Sequence, residues 1–141
     1  MMVYLRKGRL SSTELNEFIK IAELKLKELP FDIRTLNILA FSYSQKDDSI
    51  TSGKYKFKKE MLVKAILSTG DGKSEQTAFH VIDPNHERDI LNELGLKFAA
   101  STNQANALCD YLVVHPNEKN IRGVYFDVSR LLKARIERQH N

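Results

Sequence analysis

The N-terminal half of the chain has apolar residues at helical spacing. Ser11-Ser-Thr-Glu14 has the pattern of a capping box, in which the serine and glutamate side chains satisfy the first backbone N–H groups of a helix. Apolar residues then recur every three or four positions until Pro30, which predicts a first helix over Ser12–Leu29. Asp32 is placed to cap a second helix over Arg34–Gln45. The short connection predicts an antiparallel helical hairpin.

A third helix is predicted over Tyr55–Leu67. Phe57, Met61 and Ala65 repeat at intervals of four residues, so we expect them to face the core. Tyr55, Leu62 and Ile66 are expected to widen the same face, and Lys56, Glu60 and Lys64 to line the opposite, solvated side. The segment Lys54–Lys59 also alternates basic and aromatic residues. The alternative is therefore a nucleic-acid contact in which the aromatic rings stack on bases.

Two polar segments are predicted to connect regular elements. Lys46–Gly53 is expected to join the second and third helices, and Gly70-Asp-Gly72 is expected to form a turn, because glycine adopts positive φ without steric cost. The alternative for Gly70–Ser74 is a ligand loop, in which backbone N–H groups hold an anion or Asp71 and Glu75 hold a cation.

Beyond this turn, apolar and polar residues alternate as they do in strands. The four segments with this pattern are Ala78–Ile82, Leu96–Ala100, Leu108–His115 and Gly123–Val128. Between the first two, Asp83 as N-cap, Pro84 in the first turn and Gly95 after the last turn predict a helix. Leu131–Ile136 indicates a closing helix with a basic tail.

These elements predict an α+β fold. We expect an N-terminal helical hairpin plus a third helix, together tetratricopeptide-like, packed on a small, mainly antiparallel sheet with one inserted helix. Leu29-Pro-Phe-Asp32 and Ala40 carry the tetratricopeptide likeness. We expect a single domain over residues 1–141, with a helical layer over residues 11–68 and a small α+β layer over residues 69–141 that shares its core.

Composition and charge narrow the class of protein. Hydrophobic residues make up 42% and charged residues 28% of the 141 residues, which is typical of a chain that folds as a soluble globular protein. No apolar run is long enough to span a bilayer. Cys109 is the only cysteine, which excludes an intramolecular disulfide, and we expect it to be buried and structural. The net charge of +4 permits nucleic-acid binding without requiring it.

Several motifs recur together in one known family. The most specific is the run from Gly70-Asp-Gly72 to Thr77-Ala-Phe-His-Val-Ile82; the others are Leu29–Asp32, His86-Glu87, Leu94-Gly95, Asp110-Tyr111, Asn117-Glu118 and Gly123–Val128. Together they resemble a domain-of-unknown-function family found mainly in Bacteroidetes. The resemblance implies no established activity, cofactor or catalytic residue. Arg88 departs from the family, which tends to have an aromatic residue there.

The localisation stays open. Residues Met1–Lys7 contain no apolar segment of the kind found in signal peptides, so we expect none in this sequence. The family resemblance suggests a secreted or periplasmic protein, and a cytoplasmic one is the alternative.

The densest group of chemically active side chains is His80, Asp83, His86 and Glu87. Histidine with carboxylates is typical of zinc sites and acid–base pairs, so these residues are candidate ligand-binding residues together with Asp71. His86-Glu87 lacks the second histidine of H-E-x-x-H, which excludes the helical metalloprotease pattern. The alternative is that Asp83 caps a helix and Glu87 offsets its dipole.

The function predicted from the sequence is that of a non-enzymatic binding or accessory domain. It would hold a peptide or protein partner in a groove of its first three helices, without a cofactor, a metal or catalytic residues. The first alternative is a metal-dependent or acid–base enzyme using His80, Asp83, His86 and Glu87. The second is a nucleic-acid-binding module using Lys54–Lys64 and the tail Arg130–Arg138.

Overall fold

The computed structural model describes residues 10–101 and 106–140. Within them, five helices and four strands follow one another as α1 (Ser12–Glu28), α2 (Ile33–Gln45), α3 (Ser49–Leu67), β1 (Phe79–His80), α4 (His86–Glu93), β2 (Phe98–Ser101), β3 (Cys109–Val114), β4 (Gly123–Asp127) and α5 (Ser129–Gln139). The order of elements confirms the predicted α+β class. The chain divides into two compact units between Leu62 and Val63, inside α3.

Helix α1 begins at the predicted N-cap. The backbone N–H of Glu14 donates to Ser11 Oγ at 3.2 Å, so Ser11 is the N-cap of α1. Asp32 precedes α2 as predicted, but its side chain makes no hydrogen bond to the backbone of that helix. Asp32 Oδ2 instead accepts from Thr35 Oγ1 at 2.7 Å and lies 3.4 Å from Lys25 Nζ. Both contacts are made by Oδ2, and they offset part of the cost of burying the carboxylate.

The core of the first unit joins α1 and α2. Leu15, Ile19, Ala22 and Leu39 form one buried apolar cluster, as the helical spacing predicts. At its edge the Tyr43 ring stacks on Tyr55 of α3, with 5.8 Å between the ring centroids.

Two predictions for α3 are wrong. The helix begins at Ser49, so the second part of the predicted connection Lys46–Gly53 is helical. Asp48 Oδ1 accepts from the backbone N–H of Thr51 at 3.1 Å, which starts the helix earlier than the glycine suggests. Phe57, Met61 and Ala65 are exposed and do not face the core. The buried residues of this helix are Val63 and Ile66, of which Ile66 is among those predicted to face the core.

The second unit contains a four-stranded sheet in the order β1-β4-β3-β2. β1 pairs with β4 in parallel, and the other two pairs are antiparallel. The sheet is therefore mainly antiparallel, as predicted. Phe79 and Phe126 are buried on it with 6.0 Å between ring centroids, and Cys109 is a buried free thiol.

The turn before β1 is tied to the sheet by its backbone. The N–H groups of Asp71 and Gly72 both donate to the carbonyl of Thr77, and Gly72 O accepts from Tyr125 N at 2.9 Å. Gly72 has φ of +71°, and a Cβ there would lie 2.7 Å from atoms of Phe79 and of Val124. Glycine is required here both for the conformation and for the close approach to the sheet.

The helix after β1 is shorter than predicted. It begins at His86 with Asn85 as N-cap, two residues after the predicted cap. Asp83 Oδ1 accepts from Asn85 N at 2.8 Å and so forms a turn ahead of the helix instead of capping it. At the other end Gly95 has φ of +72°, and Leu96 N donates to Leu91 O, as expected of a glycine-terminated helix.

Within residues 10–101 and 106–140, no helix combines the length and apolar character that crossing a membrane requires.

Candidate functional site

A cleft of about 400 Å³ opens in the second unit, where α4 lies beside β2 and β3. Its lining combines an apolar wall with charged and hydroxyl groups. The residues that line it are Pro84, Glu87, Arg88, Phe98, Ser101, Asp110, Tyr111 and Leu112. Its volume is at the lower end of the range of small-ligand sites.

Two carboxyl groups meet in this cleft. Glu87 is the second residue of α4 and Asp110 the second residue of β3, and their carboxyl groups lie close enough to act on each other electrostatically. Two carboxylates so close can share a hydrogen bond only if one holds a proton. Burial raises the pKa of Glu87 to about 7, and the charge and hydrogen bond of Asp110 raise it in the same direction. Glu87 Oε2 is buried and has no hydrogen-bond partner among the described residues.

Arg88 provides the cation beside the pair. Its guanidinium carbon lies 4.0 Å from the centroid of the Phe98 ring, a cation–π contact that fixes the charge against β2. The positive charge of Arg88 lowers the pKa of Glu87, and thus acts against burial. The cleft therefore holds two acidic groups and one basic group in an environment that is partly shielded from water.

His80 belongs to a different group of contacts. Its Nδ1 lies 2.7 Å from a guanidinium nitrogen of Arg130, and its Nε2 lies 3.7 Å from Asp127 Oδ2. Because arginine can only donate, Nδ1 is the acceptor, and the ring proton is on Nε2, towards the carboxylate. A hydrogen bond from Ser129 lowers the pKa of Asp127 against the opposing effect of burial. His80 thus links β1 to the start of α5.

The other candidates from the sequence have local contacts. Asp71 Oδ1 accepts from Thr77 Oγ1 at 2.6 Å and from Lys73 N at 2.9 Å, and the hydrogen bond from Thr77 lowers its pKa. Asp83 forms the turn before α4, and the His86 side chain is fully buried. The structure therefore brings Glu87 into a cleft, and the contacts of His80, Asp71 and Asp83 lie elsewhere. No group of three or more His, Cys, Asp or Glu side chains that could hold a metal ion occurs in the described ranges.

The sequence does not single out three residues that give the cleft its charges and its cation–π contact: Asp110, Arg88 and Phe98. Asp110 could be found from its position, because it is a carboxylate inside an otherwise apolar strand segment. Arg88 could be found from its departure from the family pattern. Phe98 gives no comparable signal, because aromatic residues are common in strands.

Comparison with family models matches residues 1–137 to the family described as "Domain of unknown function (DUF4919)". The match covers nearly the whole chain, and the chain belongs to this family, which confirms the predicted resemblance to a domain-of-unknown-function family. No curated protein matches the sequence. No solved structure matches it either.

Proposed function

We propose that this member of the family is a non-enzymatic binding domain that engages a peptide or protein partner and holds a cationic side chain of that partner in the cleft. The observation that supports the proposal most is the close pair of Glu87 and Asp110 in a cleft whose lining also includes the apolar side chains of Pro84, Phe98 and Leu112. Two acidic groups in contact need a positive charge between or beside them in order to ionise together. In the free protein Arg88 offsets this repulsion only in part, so that a proton completes the compensation and a bound cation can take the place of that proton.

The walls suit the stem of a lysine or arginine side chain. Pro84, Phe98 and Leu112 offer apolar surface along which methylene groups can lie, while the charged end meets the carboxylates. Arg88 is held by its contact with Phe98, so that its charge stays at the wall. Binding of a cation favours the ionised pair, and affinity should therefore increase as the pH rises through 7.

The test compares small probes that differ in charge alone. N-acetyl-lysine methylamide and N-acetyl-arginine methylamide are titrated into the full chain and compared with the neutral N-acetyl-norleucine methylamide, by NMR shifts of the Asp110 and Leu112 amides. A charge-assisted hydrogen bond is worth about 1.5–3 kcal/mol, so the cationic probes should bind about 10- to 100-fold more tightly.

The variant Asp110→Asn keeps the shape of the cleft and should abolish the preference for cations. Glu118→Gln, at an exposed position between β3 and β4, is the matched control and should leave it unchanged. Equal binding of the neutral and cationic probes, or equal behaviour of the two variants, would contradict the proposal.

Acid–base chemistry is the second candidate function. It is favoured by the pKa of Glu87, because a general acid or base works best with a pKa near the operating pH. Of the four residues that the sequence analysis proposes for an enzyme, Glu87 lines the cleft, and Asp110 would be its partner. Turnover of aryl ester, glycoside or phosphate substrates with a pH midpoint near 7, lost in Glu87→Gln, would favour this candidate over simple binding.

Nucleic-acid binding through Lys54–Lys64 and Arg130–Arg138 stays a prediction. The Arg130 guanidinium contacts the His80 ring, so the other basic residues of the tail would have to make the phosphate contacts. Salt-dependent binding of an oligonucleotide would support it.

A further inference from the structure

The exposed side of α3 carries a straight row of apolar side chains. Ile50, Phe57 and Met61 are 74%, 60% and 41% exposed, although they are among the largest apolar residues of the helix. At about 100° per residue they lie within about 40° of one another around the helix axis, and they extend over about 17 Å along it. Tyr55 and Ile66 lie on the other side, which is the packed side of α3. The row is therefore additional to the residues that hold α3 in the fold.

Lysines border this row on both sides. Lys54 and Lys58 follow along one side of the row, and Lys64 lies on the other, by the same helical geometry. Glu60 is the acidic residue of this part of the helix, and it lies farther round, beyond Lys64. A shallow hollow of about 560 Å³ is lined by Ile50, Phe57, Lys54 and Lys58 together with Thr51, Gly53 and the edge of Tyr55. Lys58 Nζ lies 5.5 Å from the centroid of the Tyr55 ring, so that its charge is at the border of the hollow. The surface thus combines an apolar seam with a positive border.

We propose that this α3 row, formed by Ile50, Phe57 and Met61, docks an acidic amphipathic helix of a partner protein. A seam only three side chains long and one side chain wide matches the narrow stripe at which two helices meet. The lysine border requires acidic residues on either side of the partner's own apolar stripe. The partner helix would need about three turns to cover the row.

The charges of the border argue against self-association, and the narrow apolar row argues against a membrane surface. A second copy of the chain would place lysines against lysines across the seam, and the net charge of +4 adds to that repulsion. A helix that lies on a membrane surface presents a broad apolar face, whereas this row is narrow. The α3 row is also separate from the cleft, since none of its residues lines the cleft, so either surface can be lost while the other still binds.

The probe is a fluorescein-labelled, helix-stabilised peptide of about 18 residues with leucines at a and d positions and glutamates at the flanking e and g positions. Its counterpart has lysines in place of the glutamates. We expect the full chain to bind the acidic peptide with a Kd in the range of about 10–100 μM, and the basic peptide at least about 30-fold more weakly. Raising the salt concentration from 0.05 to 0.5 M should weaken the acidic peptide several-fold, since the lysines are exposed.

Two variants locate the contact. Phe57→Gln should weaken the acidic peptide at least about tenfold, because it removes the central side chain of the row. Phe41→Gln is the matched control, since Phe41 is 50% exposed on α2 and lies outside the row. Circular dichroism shows whether both variants keep the helical content of the native chain.

Four results would overturn the proposal. The first two are equal affinity for the acidic and basic peptides and no binding of either. The other two are an equal loss of peptide affinity in Phe57→Gln and Phe41→Gln, and a dimer in sedimentation equilibrium that Phe57→Gln disrupts. Binding to vesicles of equal parts phosphatidylserine and phosphatidylcholine that depends on Phe57, in the absence of peptide binding, would assign the row to a membrane surface instead. Because the lysine, arginine and norleucine amides probe the cleft alone, failure here leaves the proposed function to be judged separately.

Discussion

Glu87→Gln should remove most of the pH dependence of unfolding between pH 5 and 8. In the native protein the pKa of Glu87 is raised from 4.5 to about 7, first by burial and then by Asp110. Between those two values the folded protein binds more protons than the unfolded chain. The resulting stabilisation is complete below about pH 4.5 and is lost as the pH rises through about 7.

The size of the effect follows from the shift. At about 1.4 kcal/mol per pKa unit, the shift would be worth about 3 kcal/mol for a fully desolvated group. Glu87 is only partly buried, and solvent screening reduces the expected loss of unfolding free energy to about 1–2 kcal/mol between pH 5 and 8. Glutamine is neutral and can still donate a hydrogen bond to Asp110. The variant should therefore match the native protein at pH 5 and exceed its stability by about 1–2 kcal/mol at pH 8.

Urea denaturation at pH 5, 6, 7 and 8, followed by circular dichroism, measures this difference. The other ionisable groups are present in both proteins, so that their contributions cancel in the comparison. Glu118→Gln, the exposed control, should follow the native curve. If Glu87→Gln and the native protein have parallel pH profiles, Glu87 does not hold a proton near neutrality and the account of the cleft is wrong.

Four further substitutions test the turn at Gly72, helix α3, the cleft and the start of α1. Gly72→Ala should destabilise the protein by at least about 2 kcal/mol, because Gly72 has positive φ and a Cβ there would collide with atoms of the sheet. Gly53 lies inside α3 with no atom near its Cβ position, so Gly53→Ala should stabilise the protein by about 0.5–1 kcal/mol. Urea titrations measure both changes. Arg88→Ala should raise the pKa of Glu87 above its native value in an NMR titration, since it removes the cation that favours the carboxylate. Ser11→Ala should cost about 1 kcal/mol by loss of the cap of α1, and no change in the urea midpoint would argue against that cap.

The sequence predicts much of this fold because most elements carry two agreeing signals. Helix α1 has both a capping box and a regular apolar spacing, and Gly95 ends α4 where the apolar stripe stops. The turn at Gly72 is predicted from the glycines alone, but its attachment to β4 depends on residues more than 50 positions away. Such long-range pairing is outside what local patterns can show.

The errors arise where the pattern permits two answers. In α3 the prediction places Phe57 and Met61 on one face with Tyr55 and Ile66, but at about 100° per residue the two pairs lie on opposite sides of the helix. Packing buries the side that carries Ile66. In β3 the residues on each face of the strand include apolar side chains. The alternation of apolar and polar residues therefore does not show which face carries Asp110 towards α4. The partner of Glu87 is therefore missed, although Glu87 itself is found from its place at the start of a helix.

The most direct test of the central claim is a carbon-detected NMR titration of the side-chain carboxyl groups of Glu87 and Asp110, in the free protein and with saturating N-acetyl-arginine methylamide. We predict that Glu87 titrates near pH 7 in the free protein and at a distinctly lower pH when the cation is bound, since the cation takes the place of the shared proton. An ordinary titration of Glu87 near 4.5, or a midpoint near 7 that the cation does not change, would contradict the claim that this cleft is built to receive a positive charge.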